Sequence, residues 1–493
     1  MFESAELGNA VDKTAYKKEA PLVREALLSA QHQIANSDLS LVIIVAGFEG
    51  AGKGETVNLL LEWMDARGIQ THAMDAPTDE ERDRPAMWRF WRNLPPTGRT
   101  AIFFGGWYQD WILQRVHKEI NQEDFTLALE RIEDFERMLT REHTVVVKFW
   151  LHLSKSAQKR RFKNLEGDRN TRWRVTKQDW RLHKKYAAIR RFAEQALRKT
   201  NIANSPWQIV EGSDRRYRHL TVAKTLVQTL QQFHGRFGPK SPKRLTKLAL
   251  PVPKPKNILR QLDLRLRLRE KEYEQRLLKA QGRLNILTRK LSKAERSLIL
   301  AFEGPDAAGK GGTIRRITPA IDARLYREIT IAAPTDEERA HPYLWRFWRD
   351  LPRLGKITIY DRTWYGRVLV ERLEGFAPAP DWQRGYEEIN AFEEQLEDFG
   401  IILQKFYLAI SPEEQLRRFK ARRTTPYKQY KITEEDWRNR KKWCAYEAAA
   451  CDMIERCSTA NAPWVLVEAN DKNYARIKVL ETICGRLEEE LGG

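Results

Sequence analysis

The chain repeats itself at long range. Gly47-Phe-Glu-Gly-Ala-Gly52-Lys53-Gly54 returns 257 residues later as Gly304-Pro-Asp306-Ala307-Ala308-Gly309-Lys310-Gly311. The same offset carries Pro77-Thr-Asp-Glu-Glu-Arg82 onto Pro334-Thr-Asp-Glu-Glu-Arg339, and Trp88-Arg-Phe-Trp-Arg92 onto Trp345-Arg-Phe-Trp-Arg349. Trp107, Trp180 and Trp207 fall on Trp364, Trp437 and Trp464. A period this long means two copies of a whole domain rather than a solenoid, and 493 residues give room for both. Between the copies, residues 235–256 hold five prolines interspersed with lysines, the composition of an extended, semi-stiff linker. The expected division is 1–234, a linker over 235–256, and 257–493.

Within each copy, short apolar runs alternate with helical patterns. In the second they are Leu298–Phe302, Ile329–Ala332, Ile357–Tyr360, Ile402–Ile410 and Trp464–Val467. This alternation predicts an α/β fold, a parallel sheet with helices on both faces and ligands at the carboxyl ends of the strands. A long amphipathic helix is expected over Asn257–Lys293, with a shorter counterpart over Tyr16–Ile34.

Gly304-x-x-x-x-Gly309-Lys310 lies after a strand and before a helix, the context a phosphate loop requires. Its glycines bring backbone N–H groups to anionic oxygens, the helix start adds about half a positive charge, and Lys310 adds a full one. Gly304, Ala307, Ala308, Gly309, Gly311, Gly312 and Thr313 are therefore candidate phosphate-binding positions. The residue after the lysine, usually Ser or Thr, is Gly311, and the first hydroxyl is Thr313. Asp306 sits inside the loop. A carboxylate there repels phosphate unless a cation intervenes, so it is a candidate metal-organising group; a turn-capping aspartate is the plainer alternative.

Ile357-Thr-Ile-Tyr-Asp361-Arg362 supplies the partner that such a loop needs. A carboxylate at a buried strand end beside such a loop is usually a Mg²⁺ ligand, an aspartate capping the next helix being the plainer alternative, and the arginine beside it could reach phosphoryl oxygens with a planar fork. In the first copy Phe104, Gly105 and Glu49 stand where the second has Asp361, Arg362 and Asp306. That copy is expected to be able to hold phosphate through Lys53 but to be catalytically degenerate.

Thr335 and Glu338 have capping-box spacing. In the next helix Trp345 and Trp348 read as core, and Arg346 and Arg349 as ligand candidates. Cations crowd Arg417, Arg418, Lys420, Arg422 and Arg423, then Lys428 and Lys431. So many like charges repel one another unless an anion is bound, which favours a basic lid over a polyanion channel above the plainer alternative of a solvated face. The first copy keeps Arg160, Arg161 and Lys163 but has Leu165 and Thr171 opposite Arg422 and Lys428.

The 87 Lys and Arg outnumber the 67 Asp and Glu, a formal charge of +20 that attracts polyanions. No nucleic-acid-binding signature accompanies it. Four cysteines without C-x-x-C spacing read as reduced, cytoplasmic thiols. Neither a secretory signal nor a membrane-length apolar run is expected.

The ordered set E-G-x-D-A-A-G-K-G-G-T-I, P-T-D-E-E-R, W-R-F-W-R, Y-D-R-T-W-Y-G-R and R-R-x-x-P-Y-K-x-Y-K resembles the polyphosphate kinase 2 family, over nearly all of the second copy and most of the first. The tandem layout is similar to the family's class II. The resemblance implies two tandem P-loop kinase-like domains with helical lids, similar to thymidylate kinases, and Mg²⁺-dependent phosphoryl transfer from inorganic polyphosphate to AMP. It implies catalytic and Mg²⁺-organising roles for Asp306, Lys310 and Asp361, and phosphate contacts for Arg362 and Arg422. Thr363 and Arg367 would line the site and Glu371 would assist; the family more often has Ser and Asn where this chain has Thr363 and Gly366. Transfer to ADP, an ATP-dependent nucleoside monophosphate kinase and a nucleic-acid-binding protein are the competing readings. Acceptor preference and oligomeric state are left open, a homo-oligomer included.

Overall fold

The computed structural model describes residues 1–237, 257–426, 429 and 432–492. Residues 238–256, most of the expected linker, and Lys428 and Lys431 lie outside the described residues. Two compact units are present. One comprises Met1–Pro77, Met87–Thr246 and Pro334–Arg346; the other comprises Thr78–Ala86, Lys247–Ala333 and Phe347–Gly493.

Each copy builds a five-stranded, wholly parallel sheet. The first uses β1 (Ser40–Gly47), β2 (Ile69–Ala73), β3 (Thr100–Phe104), β4 (Thr144–His152) and β5 (Trp207–Glu211), in the order β2-β3-β1-β4-β5. The second uses β6 (Ser297–Glu303), β7 (Tyr326–Thr330), β8 (Ile357–Asp361), β9 (Ile401–Ala409) and β10 (Trp464–Glu468), in the order β10-β9-β6-β8-β7. The two orders are the same when read from opposite edges. Central strands β6 and β9 are buried along their whole length, as helices on both faces of a parallel sheet require. Leu300, Ile359, Phe406 and Val467 meet Leu284, Leu291, Ile314 and Leu480 from the flanking helices in one apolar core.

Two expectations shift. The second strand runs Tyr326–Thr330, upstream of the predicted Ile329–Ala332. It is an edge strand, largely open to solvent, so it carries no apolar run to betray it. The helix expected over Asn257–Lys293 is a short 3₁₀ turn at Ile258–Gln261 and an α-helix only from Glu270 to Lys293. Asp263 turns the chain by accepting from Arg265 N at 3.1 Å, and Leu268 N then bonds to Asp471 Oδ1 at 3.3 Å. The counterpart in the first copy forms as expected, over Lys13–Ala35, with Asp12 capping Thr14 and Ala15 N–H groups.

The capping box of Thr335 with Glu338 is present, and Thr78 with Glu81 repeats it. Trp345 and Trp348 are 5% and 1% exposed, which assigns both to the interior. None of the helices among the described residues is long and apolar enough to cross a membrane.

Candidate active site

Sheet register brings the site together. Phe302 lies opposite Asp361 in the β6–β8 pairing, so the loop that leaves β6 and the carboxylate that ends β8 emerge side by side. β6 has neighbours on both sides, β8 and β9, and the chain crosses from one side to the other here. Ligands settle at such a switch point in open α/β sheets.

The loop is built as its glycines require. Gly304 has φ 140°, and a Cβ on it would stand 2.5 Å from Leu408 O. Gly309, at φ 111°, precedes the helix Lys310–Ile317. Lys310 is 8% exposed and folds back so that Nζ donates to Gly304 O at 2.7 Å and Pro305 O at 3.4 Å. No described carboxylate pairs with it.

Asp361 approaches the first turn of that helix. A Cβ built on Gly311 would stand 3.3 Å from Asp361 Oδ2. A side chain at this position would press on the strand-end carboxylate, which would have to give way slightly; Gly54, the equivalent in the first copy, has nothing within 4 Å. Among the described residues, no side chain bonds to Asp361.

Arg362 donates from Nη2 to Asp306 Oδ1 at 2.8 Å. Burial works against its charge, but Asp306, Glu303 and Asp361 override that and raise its pKa. The other Asp306 oxygen accepts from Asn439 Nδ2 at 2.8 Å, and Gln415 Nε2 donates to Asp306 O at 3.0 Å. Asp306 therefore grips the arginine and the helix Glu434–Lys441 in this arrangement, leaving Asp361 as the carboxylate open to a cation.

Two backbone corners here are left-handed without being glycine: Arg362 at φ 66° and Ala307 at φ 63°. Their equivalents in the first copy are Gly105 at φ 81° and Gly50 at φ 77°. Non-glycine residues held this way cost about 1–3 kcal/mol each and cluster where function needs the side chain.

The remaining expected residues divide. Thr363 is buried, and its N–H and hydroxyl both donate to Glu303 Oε1, at 2.8 and 2.9 Å. Arg367 is ion-paired with Glu371 at 2.9 Å, one turn away. Arg417 points outward and pairs with Glu414 at 2.7 Å. Arg418, 4% exposed, donates to Ala307 O, Ala308 O, Ala469 O and Asn470 O at 2.6–2.9 Å. It clamps the loop from beneath. Arg422, on the helix Pro412–Thr424, is half-buried.

Sequence reasoning missed Glu303, Gln415 and Asn439. Glu303 ends β6 just before the loop; burial pushes its carboxyl up, against the pull of Lys310 and the Thr363 bonds. Its place in E-G-P-D was the available signal. Gln415 had one too: Gln158 of the first copy makes the same bond, to Glu49 O at 3.0 Å. Asn439 had none, because its partner is 133 residues away.

Below the strand end, Trp364 Nε1 and Tyr365 OH both donate to Glu393 Oε1, and Lys405 Nζ reaches Glu393 Oε2 at 2.6 Å. Trp107, Tyr108, Glu136 and Lys148 form the same buried group in the first copy. Its presence beneath both strand ends marks it as support rather than chemistry.

Glycine loop, buried lysine and strand-end carboxylate on a parallel sheet define a phosphate-loop α/β protein. The model of the family described as polyphosphate kinase 2 matches residues 10–237 and 267–491. The chain belongs to the polyphosphate kinase 2 family. It is 49% identical over 492 residues to the polyphosphate:AMP phosphotransferase of Pseudomonas aeruginosa, covering 99% of both chains. It is 38% identical over 480 residues to that of Acinetobacter johnsonii, covering 94% of this chain and 95% of the relative. An ADP-polyphosphate phosphotransferase of Rhizobium meliloti is 35% identical over 218 residues, matching 44% of this chain and 77% of its own length. A crystal structure of a polyphosphate kinase 2 from Pseudomonas aeruginosa PA01 superposes with a TM-score of 0.90 at 48% identity, covering 99% of both chains.

Proposed function

We propose that this chain transfers the terminal phosphoryl group of inorganic polyphosphate to AMP, giving ADP and a polymer one phosphate shorter. The carrying observation is the end-to-end similarity to polyphosphate:AMP phosphotransferases, while the ADP-directed relative matches under half of this chain. The C-terminal copy is the catalytic one in this reading, because it has Asp361 and Arg362 where the first has Phe104 and Gly105.

An AMP phosphate oxygen is already anionic at neutral pH, so no strong base is required. That oxygen attacks the terminal phosphorus; the bond to the last bridging oxygen breaks, and the shortened polyphosphate leaves as an anion. The obstacle is repulsion between two polyanions. Lys310 and the helix start hold one set of oxygens, and Arg362 is aimed by Asp306 at the group in transit. The residues fit a Mg²⁺ ion: Asp361 ends β8 beside the glycine loop with no described side chain bonded to it, and Mg²⁺ is commonly bound through one or two carboxylates plus substrate phosphates. Asp361 would hold it, and Asp306 would contribute if it released a donor; the ion supplies charge neutralisation. Arg422 would contact the polymer. The free cysteines, three of them buried, fit a reducing cytoplasm.

Purified protein incubated with long-chain polyphosphate, Mg²⁺ and AMP should yield ADP. ATP supplied as the only donor should not replace polyphosphate. Product formed from ADP but not AMP would move the assignment to the ADP-directed relatives, and turnover with ATP alone would make the chain a nucleoside monophosphate kinase.

A further inference from the structure

The helix that follows the first glycine loop, Lys53–Trp63, has Glu55 in its first turn, where the second copy has Gly312. Three guanidiniums surround that carboxylate. Arg218 Nη2 lies at 2.5 Å, Arg161 Nη2 at 3.0 Å and Arg174 Nη1 at 3.6 Å. Arg218 is 1% exposed and pinned from two further sides: it donates to Gly212 O at 2.8 Å, and a Cβ on Gly52 would stand 2.3 Å from its Cζ. Gly52 thus leaves room for a guanidinium directly beneath the loop.

Lys53 is neutralised as well. Its ammonium lies 2.7 Å from Glu49 and 3.0 Å from Gly47 O, and the Phe104 ring stands 5.5 Å away, where the second copy has Asp361. A glycine loop, a helix start and clustered arginines are the parts of a site for phosphate oxygens. Here those parts are assembled around an anion that the chain supplies. In the second copy Gly312 brings no carboxylate to the corresponding corner, where a Cβ would stand 3.8 Å from Arg476 Nη2, and Lys310 makes no ion pair with a described carboxylate.

We propose that the N-terminal copy carries a second site for condensed phosphate, filled by its own Glu55, so that the native chain takes phosphate at the C-terminal loop alone. The proposal rests on reading Gly304–Thr313 as a phosphate-binding loop. Glu55 and a phosphate group compete for Arg161, Arg174 and Arg218, and a tethered carboxylate has the advantage of proximity.

The test is calorimetric titration of the full-length protein with inorganic tripolyphosphate, at salt high enough to suppress diffuse binding to a basic surface. The native chain should bind one equivalent, E55G two, and K53A/E55G one again. E55Q, which keeps the packing if E55G does not fold, should also bind a second equivalent, more weakly because its amide still occupies the space. Two equivalents on the native chain, one on folded E55G or E55Q, or a second equivalent that survives K53A would each overturn the proposal. No binding to the native chain with one equivalent on E55G would remove the C-terminal reading and leave this one standing.

Discussion

Arg362 reaches Asp306 across 2.8 Å from a left-handed backbone, and the equivalent corner of the first copy is Gly105. The side chain is kept at a conformational cost. Arg362→Gly should lower turnover by about 10³-fold or more, the order expected when an arginine is removed from a phosphoryl-transfer site. Relief of the strained corner, about 1 kcal/mol, offsets loss of a pair whose arginine is 43% exposed. Tm should therefore stay within roughly 3 °C. A large fall in Tm would show that the arginine is structural.

Asp361 is the carboxylate left open beside the loop. Asp361→Asn should abolish measurable ADP formation with an unchanged circular dichroism spectrum, while Lys53→Ala leaves most activity. If Lys53→Ala were the crippling change, the catalytic copy would be the other one.

Gly311→Ser would install the hydroxyl of the usual phosphate loop. Its Cβ would stand 3.3 Å from Asp361 Oδ2, so the carboxylate must move. The expected result is a fall in kcat on the order of 10- to 100-fold, the scale of a small misplacement in a catalytic site. Unchanged kcat would show that Asp361 has freedom to spare.

Arg418→Ala leaves four carbonyls, those of Ala307, Ala308, Ala469 and Asn470, without their donor. Denaturant unfolding should show a loss of about 3 kcal/mol or more, since each unsatisfied buried group costs roughly 1–3 kcal/mol. Arg418→Lys should not recover it, because an ammonium cannot span all four. A variant as stable as the native chain but weak in polyphosphate binding would return Arg418 to the list of substrate contacts.

Burial, with the nearby charge of Glu393 adding to it, raises the Glu397 carboxyl from 4.5 to about 7. The unfolded chain ionises it first as pH rises, so the stability linked to its protonated form is complete below about 4.5 and is lost as pH climbs through about 7. Glu397→Gln should match the native chain at pH 4 and exceed it at pH 8, by about 1 kcal/mol after allowance for solvent screening. Chemical denaturation at the two pH values checks this; a pH-independent difference would mean that packing, not ionisation, is responsible.

The parts legible from sequence were those encoded locally. Strand, glycine loop and helix follow one another between Ser297 and Ile317, and the capping box of Thr335 sits within four residues. Asp361 was legible because a buried strand must end somewhere. Arg418, expected among the phosphate contacts, spends its donors on backbone, because a run of cations does not disclose which members turn inward. Asn439 could not be found, since its bond to Asp306 depends on how a remote helix folds over the loop. Edge strand β7 was displaced for a related reason, as solvent on its side chains erases the apolar pattern.

The paired groups Trp364–Tyr365–Glu393–Lys405 and Trp107–Tyr108–Glu136–Lys148 lie beneath strand ends that differ completely in chemistry. The foundation is thus indifferent to what is erected on it. The same buried masonry carries Phe104 and Gly105 at one rim and Asp361 and Arg362 at the other, so the two halves differ in their fittings while the frame beneath repeats.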